Sequence, residues 1–312
     1  MRNRTKTVVI SVLTAFLMGC TGSQTTSVNP SVSDAETEIM AAPRVSYLGP
    51  EGTYTEEAAR FFFPDADEMV AERNVNDAIQ SVSEDRADYA VIPQENTIGG
   101  PVTGYIDALI AQDDIFVVGE VILPISQTLM GIPGSSVEQI QTVCSHAQGL
   151  SQSEQWRKEH MPDAAVQEMD STAAAAAYVA EQQDPSIAAV AAPGAADLYG
   201  LSVLAENIQI TAGNQTRFYV LAREKLKQER YPCAVLAITC RADQIDDMIV
   251  SIHSAGLELV TLHDRPEGSS LGMYHYLIEV KNDAGITAGQ IETITSLDGV
   301  HFLGSFSSIE KK

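Results

Sequence analysis

Positive charge is scarce in this chain. Its 312 residues hold 19 Lys and Arg against 42 Asp and Glu, a formal net charge of −23. A surface of that sign repels nucleic acid and anionic membranes, so neither is expected as a partner, the membrane excepted where an anchor holds the chain to it. It also repels anionic metabolites at long range, so any anion site must be a local pocket of basic and backbone donors. Histidine is sparse too, with 6 scattered positions. No His/Cys cluster has metal-ligand spacing, so no metal is expected. No glycine-rich phosphate loop is present and no strong general acid stands out. The apolar run at 8–18, broken by Ser11 and Thr14, is too short to span a bilayer comfortably. What remains is ample for packing. The hydrophobic fraction is 45% and the charged fraction 20%, enough for real cores in about two domains at ~150 residues each.

The N-terminus reads as an address. Arg2, Arg4 and Lys6 precede the short apolar run, as in a secretory signal. The run ends in Leu17-Met18-Gly19-Cys20, which resembles the lipobox of bacterial lipoproteins, where the cysteine is acylated. Residues 1–19 are then a signal peptide, Cys20 the lipidation site, and 20–43 a flexible Ser/Thr/Ala/Glu-rich tether. Their removal takes away three positive charges and no negative ones, moving the balance from −23 to −26. The expected location is exported and lipid-anchored to the cell envelope, on the periplasmic side or the cell surface. Cys144, Cys233 and Cys240 remain, and an odd number leaves at least one free thiol. Cys233 and Cys240 flank an apolar run that reads as one strand spanning ~23 Å, beyond disulfide reach. Buried free thiols are expected.

From residue 44 onward short apolar strands alternate with helical patterns, which predicts α/β layering. Strands are expected at 45–48, 89–93, 115–123, 141–144, 187–192 and 218–222. Helices are expected at 56–63, 76–85, 102–112, 148–159, 173–179 and 194–199. Thr53 or Thr55 caps the first helix, and Asp170 or Ser171 caps the alanine-rich one.

Polar residues recur where strands give way to helices: Thr53 and Thr55, Asn96 and Thr97, Ser145 and His146, Ser171 and Thr172. In open α/β sheets ligands bind at that crevice edge, where helix N-termini offer free N–H groups to an anion. Each residue alone is an ordinary cap. Joined by Thr216 and Arg217 at a strand entry, they describe a carboxylate-seeking cleft. An Arg held by a sheet can grip a carboxylate with two parallel hydrogen bonds, and the neighbouring threonine adds a hydroxyl.

Five motifs in order now resemble one family. They are Tyr47-Leu48-Gly49-Pro50-Glu51-Gly52-Thr53-Tyr54-Thr55; Val91-Ile92-Pro93-Gln94-Glu95-Asn96-Thr97-Ile98-Gly99-Gly100; Ser145-His146-Ala147-Gln148; Asp170-Ser171-Thr172-Ala173; and Asn214-Gln215-Thr216-Arg217-Phe218. The family is prephenate dehydratase, which converts prephenate to phenylpyruvate with loss of carbon dioxide and water. The resemblance implies two α/β lobes, similar to a periplasmic binding protein, over 44–228: lobe 1 about 44–122 plus 203–228, lobe 2 about 123–202. It implies that Thr216 assists the departing hydroxyl and that Arg217 clamps or organises a carboxylate. Thr53, Thr55, Asn96, Thr97, Ser145, His146, Gln148, Ser171, Thr172 and Phe218 would form the rest of the substrate site. Glu95 would orient neighbouring loops, with an acid role as the second reading. No metal or organic cofactor is implied. Gln94, Ala147 and Gly149 depart from the family's usual residues.

Residues 231–312 resemble an ACT domain, a βαββαβ ferredoxin-like unit that senses phenylalanine. His263-Asp264-Arg265-Pro266 is similar to its Glu-Ser-Arg-Pro motif, whereas Ala242-Asp243-Gln244-Ile245 stands in place of its Gly-Ala-Leu segment. Phenylalanine is the effector this implies, and a homodimer the assembly. Two other functions fit the same residues: an arogenate dehydratase, or a non-catalytic lipid-anchored binding protein for aromatic carboxylates. Keeping Thr216 beside Arg217 favours an enzyme, because simple capture needs the Arg more than the Thr.

Overall fold

The computed structural model describes residues 42–312, apart from positions 113, 212 and 227–229. The leader at 1–19, Cys20 and nearly all of the 20–43 tether lie outside the described residues. Lobe 1 begins with β1 (Arg44–Leu48), α1 (Tyr54–Phe62), β2 (Glu68–Glu72), α2 (Val75–Ser83), β3 (Tyr89–Asn96), β4 (Gly100–Pro101), α3 (Thr103–Ile110) and β5 (Phe116–Pro124). Lobe 2 follows with β6 (Thr128–Gly131), β7 (Thr142–Ser145), α4 (Ala147–Gln152), α5 (Glu154–His160), β8 (Ala165–Glu168), α6 (Thr172–Gln182), β9 (Ile187–Ala191), α7 (Gly194–Tyr199) and β10 (Ser202–Ala205). The chain returns to lobe 1 as β11 (Gln215–Ala222). The C-terminal unit comprises β12 (Tyr231–Arg241), α8 (Ile245–Ser254), β13 (Glu258–Pro266), β14 (Met273–Ile286), α9 (Ala288–Thr295), β15 (Val300–Phe306) and β16 (Ser308–Glu310).

The seven-stranded sheet of lobe 1 runs β16-β5-β11-β3-β1-β2 with β4 beside β3, and the five-stranded sheet of lobe 2 runs β10-β6-β9-β7-β8. Central strands β3 and β11 are apolar on both sides because both faces are covered. Tyr89, Val91, Phe218 and Val220 pack under α1, while Ala90, Ile92, Tyr219 and Leu221 face the opposite core. The helix starts follow from side-chain caps. Thr53 caps α1 and Ser171 caps α6, each accepting from a backbone N–H that otherwise lacks a partner, an arrangement worth about 1 kcal/mol per helix. Thr55 is not the cap; it lies inside α1 and is buried.

Several elements differ from the sequence expectation. The helix expected at 148–159 is split at Ser153, whose hydroxyl donates to the Gly149 carbonyl at 2.7 Å, a local bond that competes with continuous helix. Strand β10 pairs with β6, so lobe 2 extends to 205 and its second crossing lies at 206–214. Strand β11 starts at Gln215, because Thr216 and Arg217 are paired on both sides, to β3 and to β5.

The C-terminal sheet has the order β13-β14-β12-β15, the expected βαββαβ ferredoxin-like topology. It is not a detached unit. Ala234, Leu236 and Ile238 pack under α8 and α9, but Val235, Ala237, Leu277 and Leu303 join Tyr105, Tyr219 and Leu221 in a core shared with lobe 1. Strand β16 then adds to the edge of the lobe 1 sheet, parallel to β5. At Gly304 a Cβ would stand 2.1 Å from the Val117 carbonyl oxygen, so only glycine lets β15 approach β5 this closely. The thiols of Cys144, Cys233 and Cys240 are free; Cys233 is only half-buried, at the seam between the unit and lobe 1.

Candidate active site

The antiparallel register of β3 and β11 sets Thr216 opposite Asn96. The Asn96 Nδ2 donates to Thr216 Oγ1 at 2.8 Å and to Asn214 Oδ1 at 2.9 Å. Its Oδ1 accepts from the backbone of Ile98 and Gly99 at 3.1 and 2.9 Å, and from Gln148 Nε2 at 3.1 Å. The carboxamide thus closes its own loop and reaches lobe 2. Thr216 is 8% exposed. A hydroxyl has one hydrogen to give and lone pairs to accept with. Asn96 fills an acceptor position on Thr216, and no acceptor for the Thr216 hydrogen is found among the described residues. That leaves a hydrogen free to donate to a molecule bound beside it.

Lobe 2 meets this pair closely. A Cβ on Gly99 would stand 2.6 Å from Gln148 Nε2, so glycine there admits the bridge between lobes. Ala173 Cβ lies 3.6 Å from a Cβ built on Gly52, which brings the N-termini of α1 and α6 together across the lobes, and within lobe 2 Thr172 Cγ2 lies 3.3 Å from one built on Gly149 of α4. Tyr199 hydroxyl donates to the Glu51 carbonyl at 2.8 Å beside them. Both helix ends direct partial positive charge at this junction. A second polar hub sits where the chain crosses between lobes. Gln152 Oε1 accepts from Gln127 Nε2 at 2.9 Å and from Asn214 Nδ2 at 3.2 Å. Gln127, Gln152 and Asn214 are absent from the sequence-derived site; the available signal was Gln152, one helical turn beyond Gln148.

Other expected site residues point elsewhere. Ser145 is fully buried and donates to the Val190 carbonyl at 2.6 Å. A Cβ on Gly149 would stand 2.4 Å from that hydroxyl, so glycine there leaves room for the inward-turned Ser145 side chain. Thr97 Oγ1 exchanges hydrogen bonds with the Gln215 backbone at 3.0 and 3.1 Å. His146 turns its Nδ1 back to accept from the Gln148 N–H at 3.3 Å, capping α4. Phe218, 1% exposed, packs among Val45, Tyr47, Val121 and Leu123 rather than lining the cleft.

Arg217 is the largest difference. Neighbours along a strand face opposite ways, and Arg217 faces the C-terminal unit. Its Nε donates to Glu120 Oε1 at 2.7 Å, and its Nη2 lies 2.6 and 2.7 Å from the two oxygens of Glu279. Glu95 lies 3.8 Å from Nη1. The guanidinium is thus held by the protein's own carboxylates instead of waiting in the cleft. Burial works against its charge, but Glu279 and Glu120 outweigh burial and hold it above its ordinary value. Burial and the nearby Glu279 push the Glu120 carboxyl up to about 7, against the opposing pull of Arg217.

That shift has a sign. A carboxyl that binds its proton more tightly when folded stabilises the fold fully below its unfolded value, near 4.5, and the contribution is lost as pH rises through about 7. Stability should therefore fall by up to about 3 kcal/mol between pH 4.5 and 7.5 on account of this group. Denaturant titrations across that range check it: Glu120→Gln should flatten the slope, and an unchanged slope would refute the assignment.

The His263-Asp264-Arg265-Pro266 segment forms the end of β13 at the same seam. His263 Nδ1 lies 2.5 Å from the Tyr105 hydroxyl, and Arg265 grips Asp107 with two bonds of 2.8 and 2.7 Å. A cavity of about 470 Å³ opens between this strand and lobe 1, lined by Glu95, Pro101, Ile106, Leu262, His263 and Asp264 among others.

Comparison with known proteins places this architecture. The family model of prephenate dehydratase matches residues 45–226, more than half of the chain. A prephenate dehydratase of Lactococcus lactis subsp. lactis is 34% identical over 250 residues, covering 77% of this chain and 87% of the relative. Arogenate dehydratase 5 of Arabidopsis thaliana is 39% identical over 196 residues, covering 61% of this chain and 46% of the relative. The crystal structure of an Arthrobacter aurescens prephenate dehydratase in complex with L-Phe superposes with a TM-score of 0.77 at 30% identity, covering 85% of this chain and 90% of that one. By family model, sequence and fold together, the chain belongs to the prephenate dehydratase family.

Proposed function

We propose that the chain converts prephenate to phenylpyruvate. The observation that carries this is Thr216, oriented by Asn96 with its hydroxyl hydrogen free to donate. In the reaction the bond from the ring to its carboxylate breaks and releases carbon dioxide. Its electron pair moves through the ring diene, the ring becomes aromatic, and the bond to the ring hydroxyl breaks. Hydroxide leaves and takes up a proton from solvent to become water. Thr216 stabilises that leaving oxygen with a hydrogen bond, and the closed lobes fix the geometry in which the two bonds break together. The N-termini of α1 and α6 receive the substrate's carboxylates, with Ser171, Thr172 and Gln148 as side-chain donors; the Thr53 hydroxyl donates to the Leu48 carbonyl at 3.3 Å and serves as the cap of α1. Arg217 shapes the strand beneath Thr216 and leaves anion binding to these groups.

The test is incubation of purified residues 44–312 with prephenate while phenylpyruvate is followed. Turnover supports the reading; calorimetric binding without turnover would replace it with the binding-protein alternative. Arogenate differs by an amine in place of the ketone, and the similarity to the Arabidopsis enzyme makes it the substrate to run in parallel.

The same proposal includes phenylalanine as effector at the C-terminal unit, a homodimer, and an exported form anchored through Cys20. The Arthrobacter aurescens enzyme crystallised in complex with L-Phe, which supports the effector. Isothermal titration with phenylalanine checks it, and absence of heat refutes it. Fractionation checks the anchor: Cys20→Ser should leave the membrane fraction, and retention there would dismiss it.

A further inference from the structure

The strands carrying Thr216 and Asn96 are out of regular register beside the site. The pairing runs Thr216 with Asn96, Arg217 with Glu95, then Phe218 with Pro93, so Gln94 is an extra residue on β3. Pro93 has no N–H for a ladder bond. A bulge of this kind re-aims the side chains next to it and recurs near active sites.

What holds the bulge lies on the far side of the sheet. Gln94, fully buried, donates through Nε2 to the Tyr219 hydroxyl at 2.8 Å, and that hydroxyl donates to Glu279 Oε2 at 2.9 Å. The same carboxylate receives Arg217 Nη2 on both oxygens, at 2.6 and 2.7 Å. Glu279 belongs to β14 of the C-terminal unit, and its side chain is 2% exposed. One carboxylate therefore grips β11 at the residue next to Thr216, and through Tyr219 it holds β3 at the bulge just before Asn96.

We propose that Glu279 is a positioning residue for the dehydration: by pinning Arg217 and, through Tyr219, Gln94, it fixes the bulged strand pair that presents Thr216 and Asn96 to the cleft. The C-terminal unit thereby takes part in setting the catalytic geometry. Displacements on the order of 1 Å at reacting groups cost up to ~10²-fold in rate. Losing one of two carboxylates on Arg217, with Glu120 still in place, should cost about tenfold.

The experiment uses Glu279→Gln in the full chain. This variant leaves Arg217 paired with Glu120 and removes one of two neighbouring buried carboxylates, so no unpaired charge burdens the fold. The expected result is kcat about tenfold lower, KM within about twofold and a thermal midpoint no lower than that of the parent. In a Thr216→Ala background it should cause no further loss, because both changes act on one hydroxyl. Glu279→Asp should recover part of the rate. Wild-type kcat in Glu279→Gln, or a full tenfold loss added to Thr216→Ala, overturns the proposal. If Glu279→Gln does not fold, Tyr219→Phe decides: it keeps the ring in the core and cuts the link to Gln94. About threefold lower kcat at unchanged KM supports the proposal, and parental kinetics overturn it. The inference rests on the dehydratase reading. A parent chain without turnover removes both, whereas parental turnover with unaffected variants removes this one alone.

Discussion

Thr216→Ala is expected to lower kcat for prephenate by roughly 10²–10³-fold, about 2.7–4 kcal/mol, with KM changed less than about threefold. The reasoning starts from what the hydroxyl can do. A threonine is too weak an acid to hand over its proton outright, but it can donate a hydrogen bond whose strength grows as the leaving oxygen gains negative charge. Asn96 already donates to Thr216 Oγ1 at 2.8 Å, and the hydroxyl's own hydrogen has no acceptor among the described residues. Because that bond strengthens only as the C–O bond breaks, its loss should appear in kcat and spare binding. Thr216→Ser should recover most of the rate. Thr216→Val keeps the shape but has no hydroxyl to donate, so it should do no better than alanine. Steady-state kinetics decide, and a Thr216→Ala enzyme with parental activity refutes the role.

Arg217→Ala should destabilise the fold by about 3–5 kcal/mol at pH 8. At the start of a strand, an arginine suggests a substrate clamp, for which the chief loss would be in KM. Its surroundings predict otherwise. Glu120 and Glu279, each with a side chain 2% exposed, would be left buried side by side without their cation. For a chain of this size the loss corresponds to a fall in Tm of roughly 10 °C. Toward pH 5 the Glu120 carboxyl, pushed up to about 7 by burial and Glu279, takes up a proton instead, so the deficit should shrink. Adding Glu120→Gln and Glu279→Gln to Arg217→Met should restore much of the stability, because a neutral cluster carries no unpaired charge. Calorimetry at both pH values is the check. A variant as stable as the parent, with only a raised KM, would return Arg217 to the clamp.

Much of the fold is legible from local pattern. The alternating apolar strands, the Thr53 and Ser171 caps and the alanine-rich α6 all stand close to where the sequence puts them. Strands β2, β6, β10 and β16 are harder to see. β2 and β10 are short edge strands with little burial, and β16 is exposed throughout, existing because β5 offers it an edge. Within the site, Asn96, Gln148 and Thr216 converge as their motifs suggest. Thr216 and Arg217 could not both face the cleft once both are in strand, because strand neighbours alternate. Reading the strand as starting at 218 hides that rule. Ser145 and Phe218 belong to the motifs, but burial turns one to a carbonyl and the other into a core.

By itself the sequence determined the acidic surface, the α/β layering, the helix starts and the ordered motifs that identify the family. These rest on short-range physics: periods of 2 and 3.6 residues, caps reaching three residues ahead, and charge that needs no fold to count. Tertiary structure alone decided which polar groups share a partner. Arg217 meets Glu120 and Glu279, 97 and 62 residues away in the chain. Such pairings depend on which faces the sheets bury against each other, and a buried charge takes whatever opposite charge the packing brings within reach. That is why Thr216 keeps a hydroxyl hydrogen free beside Asn96, while Arg217 is held by the protein itself.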